Sequence, residues 1–268
     1  MRRAQALAAT KDTRVPLPAA AVLRVLRHAG ASDEAWRRSL SAVAYAHMLR
    51  GAYAVCLSFL FFGRQDSCVA LRIHDRGVSP EAIWLRLTEK MRKAAALRRV
   101  IKLPLSAPPV RGHLSLLPEV AALGRRYLDA VGRLSRQSAT GEQRAYLFQL
   151  PGETPPRTAD MSSWLHTQLS MVGVRAPPGF SYLGHSIRSG ASSAAEAIGV
   201  SRFLGNWIGG WSQAGRTREL HYLDPSVRPC PAAFGFFGWM LENCFEALPP
   251  TWEYRRTART QEDPGEPI

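Results

Sequence analysis

The sequence predicts an α+β fold, mostly α-helical, with one small three-stranded antiparallel sheet. Three observations carry this expectation. Apolar residues recur at helical spacing over most of the chain, as in "LPEVAALGRRYLDAVGRLS" from Leu117 to Ser135. Three short segments in the first half, "CVALRIHD", "EAIWLRLTEK" and "LRRVIKLPL", lean instead toward β structure and are separated by "RGVSP" and "MRKAAA". The chain shows no internal repeat, and its 46% apolar content is enough for a sizeable core.

The elements run in order along the chain. Residues 1–18 form a basic arm that ends at Pro16 and Pro18, and residues 19–50 a helical lead-in, with helices expected over Ala19 to Arg27 and Ser32 to Leu49. The run "AYAVCLSFLFF", Ala52 to Phe62, reads as a core helix; it is about half the roughly 20 residues that a membrane-spanning helix needs, so no membrane segment is expected. A Pro/Gly loop from Gln149 to Ser163 leads to a helix from Trp164 to Val172, with Ser162 or Ser163 as its N-cap. A helix from His185 to Ile198 stops at Gly199, and Ser201 to Ile208 resumes it. The apolar segment from Pro231 to Leu248 is either a helix on its own core or a surface for a neighbouring subunit. The main domain is expected over 51–252, with a loose polar tail at 253–268.

Charge narrows the partners. Lys and Arg number 35 against 21 Asp and Glu, a net charge of +14, which favours polyanions and double-stranded DNA first. Cys56, Cys68, Cys230 and Cys244 form no C-x-x-C pair and have no His at zinc spacing, so they read as reduced thiols of an intracellular protein. No P-loop or metal box is present, and no cofactor or metal is expected. The start, "MRRAQALAATKDTR", has the composition both of an organelle transit peptide and of a basic DNA-binding arm.

The chemistry concentrates in the second half. In "HSIR", His185 and Arg188 lie three apart and share one helix face. The small residues of "SGASSAAEAIG" then let this helix approach another backbone closely, and its N-terminus offers free N–H groups to an anion. "GGWS" and "HYLDPSV" come next, with Trp211 and Tyr222 eleven residues apart. In this order the motifs resemble the tyrosine recombinase (phage integrase) family, whose catalytic domain carries an H-x-x-R box, a His or Trp after a Gly pair, and a nucleophilic Tyr. That family's early Arg matches Arg64 in "FLFFGRQDSCVALRIHD", although Ser67 stands where an acid is usual and Asp66 lies beside it. Its hairpin Lys matches Lys90, with Lys93 as the rival, and the likeness covers about Ala52 to Trp239.

The resemblance implies a catalytic set of Arg64, Lys90, His185, Arg188, Trp211 and Tyr222, and with it the fold of the tyrosine-recombinase catalytic domain. Breaking a phosphodiester with a side chain needs charge stabilisation on two oxygens, a nucleophile and an acid for the leaving oxygen. Two guanidinium forks, Tyr222 and Lys90 meet those needs, and the Trp211 indole is expected to pack there and donate a hydrogen bond. The implied partners are double-stranded DNA, further copies in a tetramer on that DNA, and a separate core-binding domain; the implied location is with DNA, in the nucleus if the host is eukaryotic. The expected function is strand exchange by a mobile-element integrase. A DNA-binding remnant without activity and a type IB topoisomerase-like enzyme are the alternatives.

Overall fold

One long apolar helix organises the chain. The computed structural model describes residues 15–73, 76–78, 82–89, 97–137, 144–211 and 215–241. Three helices come first: α1 (Ala19–Ala31), α2 (Asp33–Ser39) and α3 (Ala42–Leu60). Ser41 caps α3, its hydroxyl accepting from the Ala44 N–H at 3.2 Å. No break occurs at Leu49, where one was expected. Gly51 has no Cβ at the point where the Gln168 side chain presses on the helix, so the helix runs through and closes on its neighbours. By length and composition α3 is apolar enough to cross a membrane, and 78% of its apolar window is buried inside the protein.

After α3 the chain turns through Phe62 and Gly63 into the short α4 (Gln65–Val69). The expected strand "CVALRIHD" is not formed over its described residues, of which Cys68 and Val69 end α4, with Asp66 in that helix's favourable first turn; the first strand falls instead in "RGVSP", expected to separate strands. The sheet comprises β1 (Arg76–Val78), β2 (Ala82–Glu89) and β3 (Leu97–Pro104) in the antiparallel order β1-β2-β3. β1 is only a three-residue strand, pairing Val78 with Ile83, while β2 and β3 pair along their length from Ala82–Pro104 to Glu89–Leu97. Alternation puts Ile83, Leu85, Ile101 and Leu103 on the core face.

Six helices follow among the described residues: α5 (Leu117–Gln137), α6 (Thr158–Met171), α7 (Gly184–Ala197), α8 (Arg202–Gly209), α9 (Thr217–His221) and α10 (Pro231–Phe237), the last leading into a 3₁₀ turn over Gly238–Met240. Of these, α5, α6 and α7 pack along α3. α6 starts earlier than Trp164 because the Asp160 carboxylate accepts the Arg157 N–H at 2.6 Å, closing the first turn just after Pro155 and Pro156. The residues of α1, α3, α5, α7 and α10 share one hydrophobic core, so the lead-in 19–50 packs together with the main domain. The described part of Pro231–Leu248 turns inward: Phe236 and Phe237 are fully buried and meet Phe59 at 5.3 and 5.2 Å. From Ala232 to Met240 this segment belongs to the chain's own core. Cys56 and Cys68 are buried and Cys230 is half-buried, all as free thiols. Cys244 and the tail 253–268 lie outside the described residues.

Candidate active site

Arg188 is placed by two helix ends. α3 ends in a motif where the Gly63 N–H bonds the Ser58 carbonyl at 2.8 Å and the Phe62 N–H bonds the Phe59 carbonyl at 3.3 Å. Phe62 itself takes the left-handed position, φ 49°, usually held by glycine. α8 ends the same way, the Trp211 N–H on the Asn206 carbonyl at 2.8 Å and Gly210 left-handed at φ 69°. These two turns aim the Phe62 and Gly209 carbonyls at one point. The Arg188 guanidinium fills it, donating through Nη1 to Phe62 and through Nη2 to Gly209 at 2.6 Å. Both carbonyls belong to the electronegative ends of helices, which compensates a cation that is only 2% exposed.

Trp211 and Tyr222 close over the same guanidinium. Its carbon lies 3.9 Å from the Trp211 ring centre and 5.0 Å from that of Tyr222. The two rings are 5.1 Å apart. His185, exposed one turn before Arg188, stacks on Tyr222 with ring centres 6.3 Å apart and planes at 29°. The expected Trp211 donor group, Nε1, is buried and has no acceptor among the described residues. Gly209 exists as glycine because the Trp211 ring lies where its Cβ would be.

Arg64 reaches this cluster from the other side. It is exposed and stands at the N-cap of α4. The next residue, Gln65, bonds Ser162 at 3.0 Å and lies where a Cβ on Gly184 would be, so α4 is pinned to the start of α7. Arg64 and Arg188 line one small cavity of about 20 Å³ together with Phe62, Ser67, Cys68 and Gly209. That space suits one water molecule or one oxygen of an anion. A second, open cleft of about 270 Å³ runs between His185, Ser186, Ser189, His221 and Tyr222, with Val15 and Pro16 as its far wall. Of the six predicted residues, Arg64 and Arg188 thus line the first space, His185 and Tyr222 the second, and Trp211 packs against Arg188 and Tyr222. Lys90, like its rival Lys93, lies outside the described residues.

The predicted set needs one correction in geometry. Arg188 does not project from the start of α7 toward solvent but lies beneath Tyr222, with both Nη groups on backbone carbonyls. The first turn of α7 is also occupied: the Gly184 N–H faces Ser162 Oγ at 3.4 Å and the Leu183 N–H faces Ser186 Oγ at 3.1 Å. Tyr182 is 7% exposed, and burial raises its phenol pKa; Tyr254 lies outside the described residues. The Cys68 thiol beside Arg188 is pushed up to about 11 by burial, so it stays protonated despite the nearby cation.

Some participants carry no sequence signal. The Phe62 and Gly209 groups are backbone carbonyls, and no residue type announces them. Ser189 and Ser193 stand in the sequence only as members of a small-residue run; their hydroxyls donate to the Tyr222 carbonyl at 3.1 and 3.2 Å. Spacing by four on α7 is the available sign.

No protein-family model and no curated protein matches this chain. Solved structures do. XerH site-specific recombinase, bound to palindromic difH substrate in a post-cleavage complex, superposes with TM-score 0.53 over 88% of this chain and 53% of its own, at 12% identity. XerA recombinase gives 0.53 over 90% of this chain and 66% of its own, at 13% identity. The pre-cleavage XerH complex with difH gives 0.54 over 80% and 52%, at 13% identity. The chain thus spans about half the length of XerH. Its fold is the catalytic-domain fold of tyrosine recombinases, mostly helical with a small antiparallel sheet.

Proposed function

We propose that a chain with this fold, carrying Arg64, His185, Arg188, Trp211 and Tyr222 around one site, cuts and rejoins DNA strands. The observation that supports this most is the contact of Arg188 with Tyr222 at 5.0 Å, flanked by His185 and Trp211, since it packs a tyrosine ring against a buried cation. The Tyr222 oxygen attacks phosphorus as the bond to the 5′-oxygen breaks. His185 takes the tyrosine proton, and Lys90 gives one to the leaving oxygen. The phosphotyrosyl ester keeps the energy of the broken bond, so rejoining reverses the step without ATP.

Arg64 and Arg188 hold the non-bridging oxygens, and the buried Trp211 indole supplies a donor that otherwise goes unmatched, at a cost of about 1–3 kcal/mol. In the DNA-free chain the Tyr222 ring covers Arg188. Phosphate entry therefore swings that ring aside, which also carries its hydroxyl toward the phosphate. Exchange between two duplexes calls for several copies, and we assign a tetramer on DNA, acting as the integrase of a mobile element.

A binding-only reading is favoured by one feature, the 2% exposure of Arg188. Incubation with a duplex carrying a nick near the cleavage point, then denaturing electrophoresis, separates the two. A protein–DNA adduct is expected; its absence with retained DNA binding replaces our reading by the binding-only one.

A further inference from the structure

We propose that Arg218 is a positioning residue for Tyr222, latching α9 onto α7; this rests on the reading of Tyr222 as the nucleophile. Arg218 is fully buried, at 0% exposure, four residues before Tyr222. Its carbonyl accepts the Tyr222 and Leu223 N–H groups at 2.9 and 3.2 Å, so the end of α9 hangs on this residue. Its side chain crosses to α7. Nε donates to Ser192 Oγ at 2.8 Å, and Nη2 donates to the Ser192 carbonyl at 3.3 Å and pairs with Glu196 at 2.9 Å. α8 leaves room for it at Gly205, where a Cβ would come within 2.6 Å of the guanidinium carbon. Two elements, α7 and α8, therefore build one receptacle for this fork from α9.

The design suits orientation more than stability. α9 has five residues, too few to hold a helix alone. An apolar side chain would anchor it without direction, whereas a planar guanidinium bonded through both Nε and Nη2 fixes its rotation. Burial lowers the Arg218 pKa and the Glu196 carboxylate opposes that shift, so the pair brings little net stability. Beyond Arg218, the Tyr222 carbonyl takes the Ser189 and Ser193 hydroxyls, and Ser193 Oγ accepts the Asp224 N–H at 2.8 Å. Rotation of α9 and position of Tyr222 are thereby set by one face of α7.

Arg218→Met in the full chain tests this, because methionine keeps the bulk and removes the fork. DNA affinity should stay within about twofold while adduct formation on nicked DNA slows about tenfold or more. Amide exchange over Thr217 to Leu223 should quicken by about tenfold while α3 amides keep their protection. Arg218→Lys, which retains the Glu196 pair alone, should recover part of the adduct rate.

If Arg218→Met does not fold, Ser193→Ala and Gly205→Ala must show the same pairing of faster α9 exchange with slower adduct formation. Unchanged α9 exchange overturns the latch, and so does faster exchange with an unaltered adduct rate. If the wild type forms no adduct, the nucleophile reading fails, and the exchange comparison alone decides whether Arg218 holds α9.

Discussion

The guanidinium carbon of Arg188 lies 5.0 Å from the centre of the Tyr222 ring, and the ring thereby covers a cation that is 2% exposed. Removing the hydroxyl leaves that stacking in place. Tyr222→Phe should therefore bind duplex DNA like the wild type and form no adduct on a nicked duplex. Arg188→Ala should lose both, since it removes the phosphate partner of the proposed reaction and empties the space between two helix ends. A band shift and a denaturing gel on the same samples read both outcomes.

Phe62 combines a strained backbone with a buried ring. The left-handed conformation costs a non-glycine residue about 1–2 kcal/mol. Its ring packs on Phe237 at 5.4 Å and Trp211 at 6.3 Å, which offsets that cost. Phe62→Ala should destabilise the protein by about 3–5 kcal/mol. Phe62→Gly should be less damaging by about 1 kcal/mol, because glycine adopts this φ freely. Urea denaturation of the two variants checks this order, which is the reverse of the usual one for alanine and glycine.

Gly190 carries a different demand. It lies inside α7, where alanine ordinarily adds about 0.5–1 kcal/mol of stability. The Leu17 backbone, which donates its N–H to the Ser186 carbonyl at 2.8 Å, occupies the place of a Gly190 Cβ. Gly190→Ala should thus destabilise by about 1–3 kcal/mol, as overpacking does. A fall in melting temperature is the expected reading; a rise would show that the Leu17 segment yields freely.

His47 should make stability fall in mild acid. Its Nδ1 faces Arg50 Nη2 at 2.6 Å and so acts as acceptor, leaving the proton on Nε2, which faces Glu153 at 3.7 Å. Burial first, then the Arg50 charge, lowers its pKa, against a smaller upward pull from Glu153. The unfolded chain, titrating near about 6.5, then binds more protons than the folded one. Stability should be fully present above that pH and be lost as pH drops toward the lower folded value. Urea midpoints across this range should slope less in His47→Gln than in the wild type.

The +14 net charge should make DNA affinity strongly dependent on salt. Each phosphate neutralised adds about 0.9 to the slope of log affinity against log salt. A titration between low and physiological salt measures it, and a flat response would point to another partner.

The order of chemical groups was written in the sequence, and so was much of the scaffold. Helical periodicity over Leu117 to Ser135 and the Gly199 stop after α7 were legible because they depend on near neighbours. Arg64, His185, Arg188, Trp211 and Tyr222 were legible as candidates because residue type sets what a side chain can do. The environment of those groups was not. Arg188 is held by the carbonyls of Phe62 and Gly209, which every residue possesses; only the turns at two helix ends aim them inward. Gly51 has the look of a break in α3 until Gln168, far along the chain, takes the place of its Cβ. Arg218 resembles one more surface cation in a basic chain, and only the meeting of α7, α8 and α9 buries it. Local pattern decides which segments coil and what they carry, whereas burial and hydrogen-bond partners depend on contacts between residues distant in sequence, and those exist only once the chain has packed.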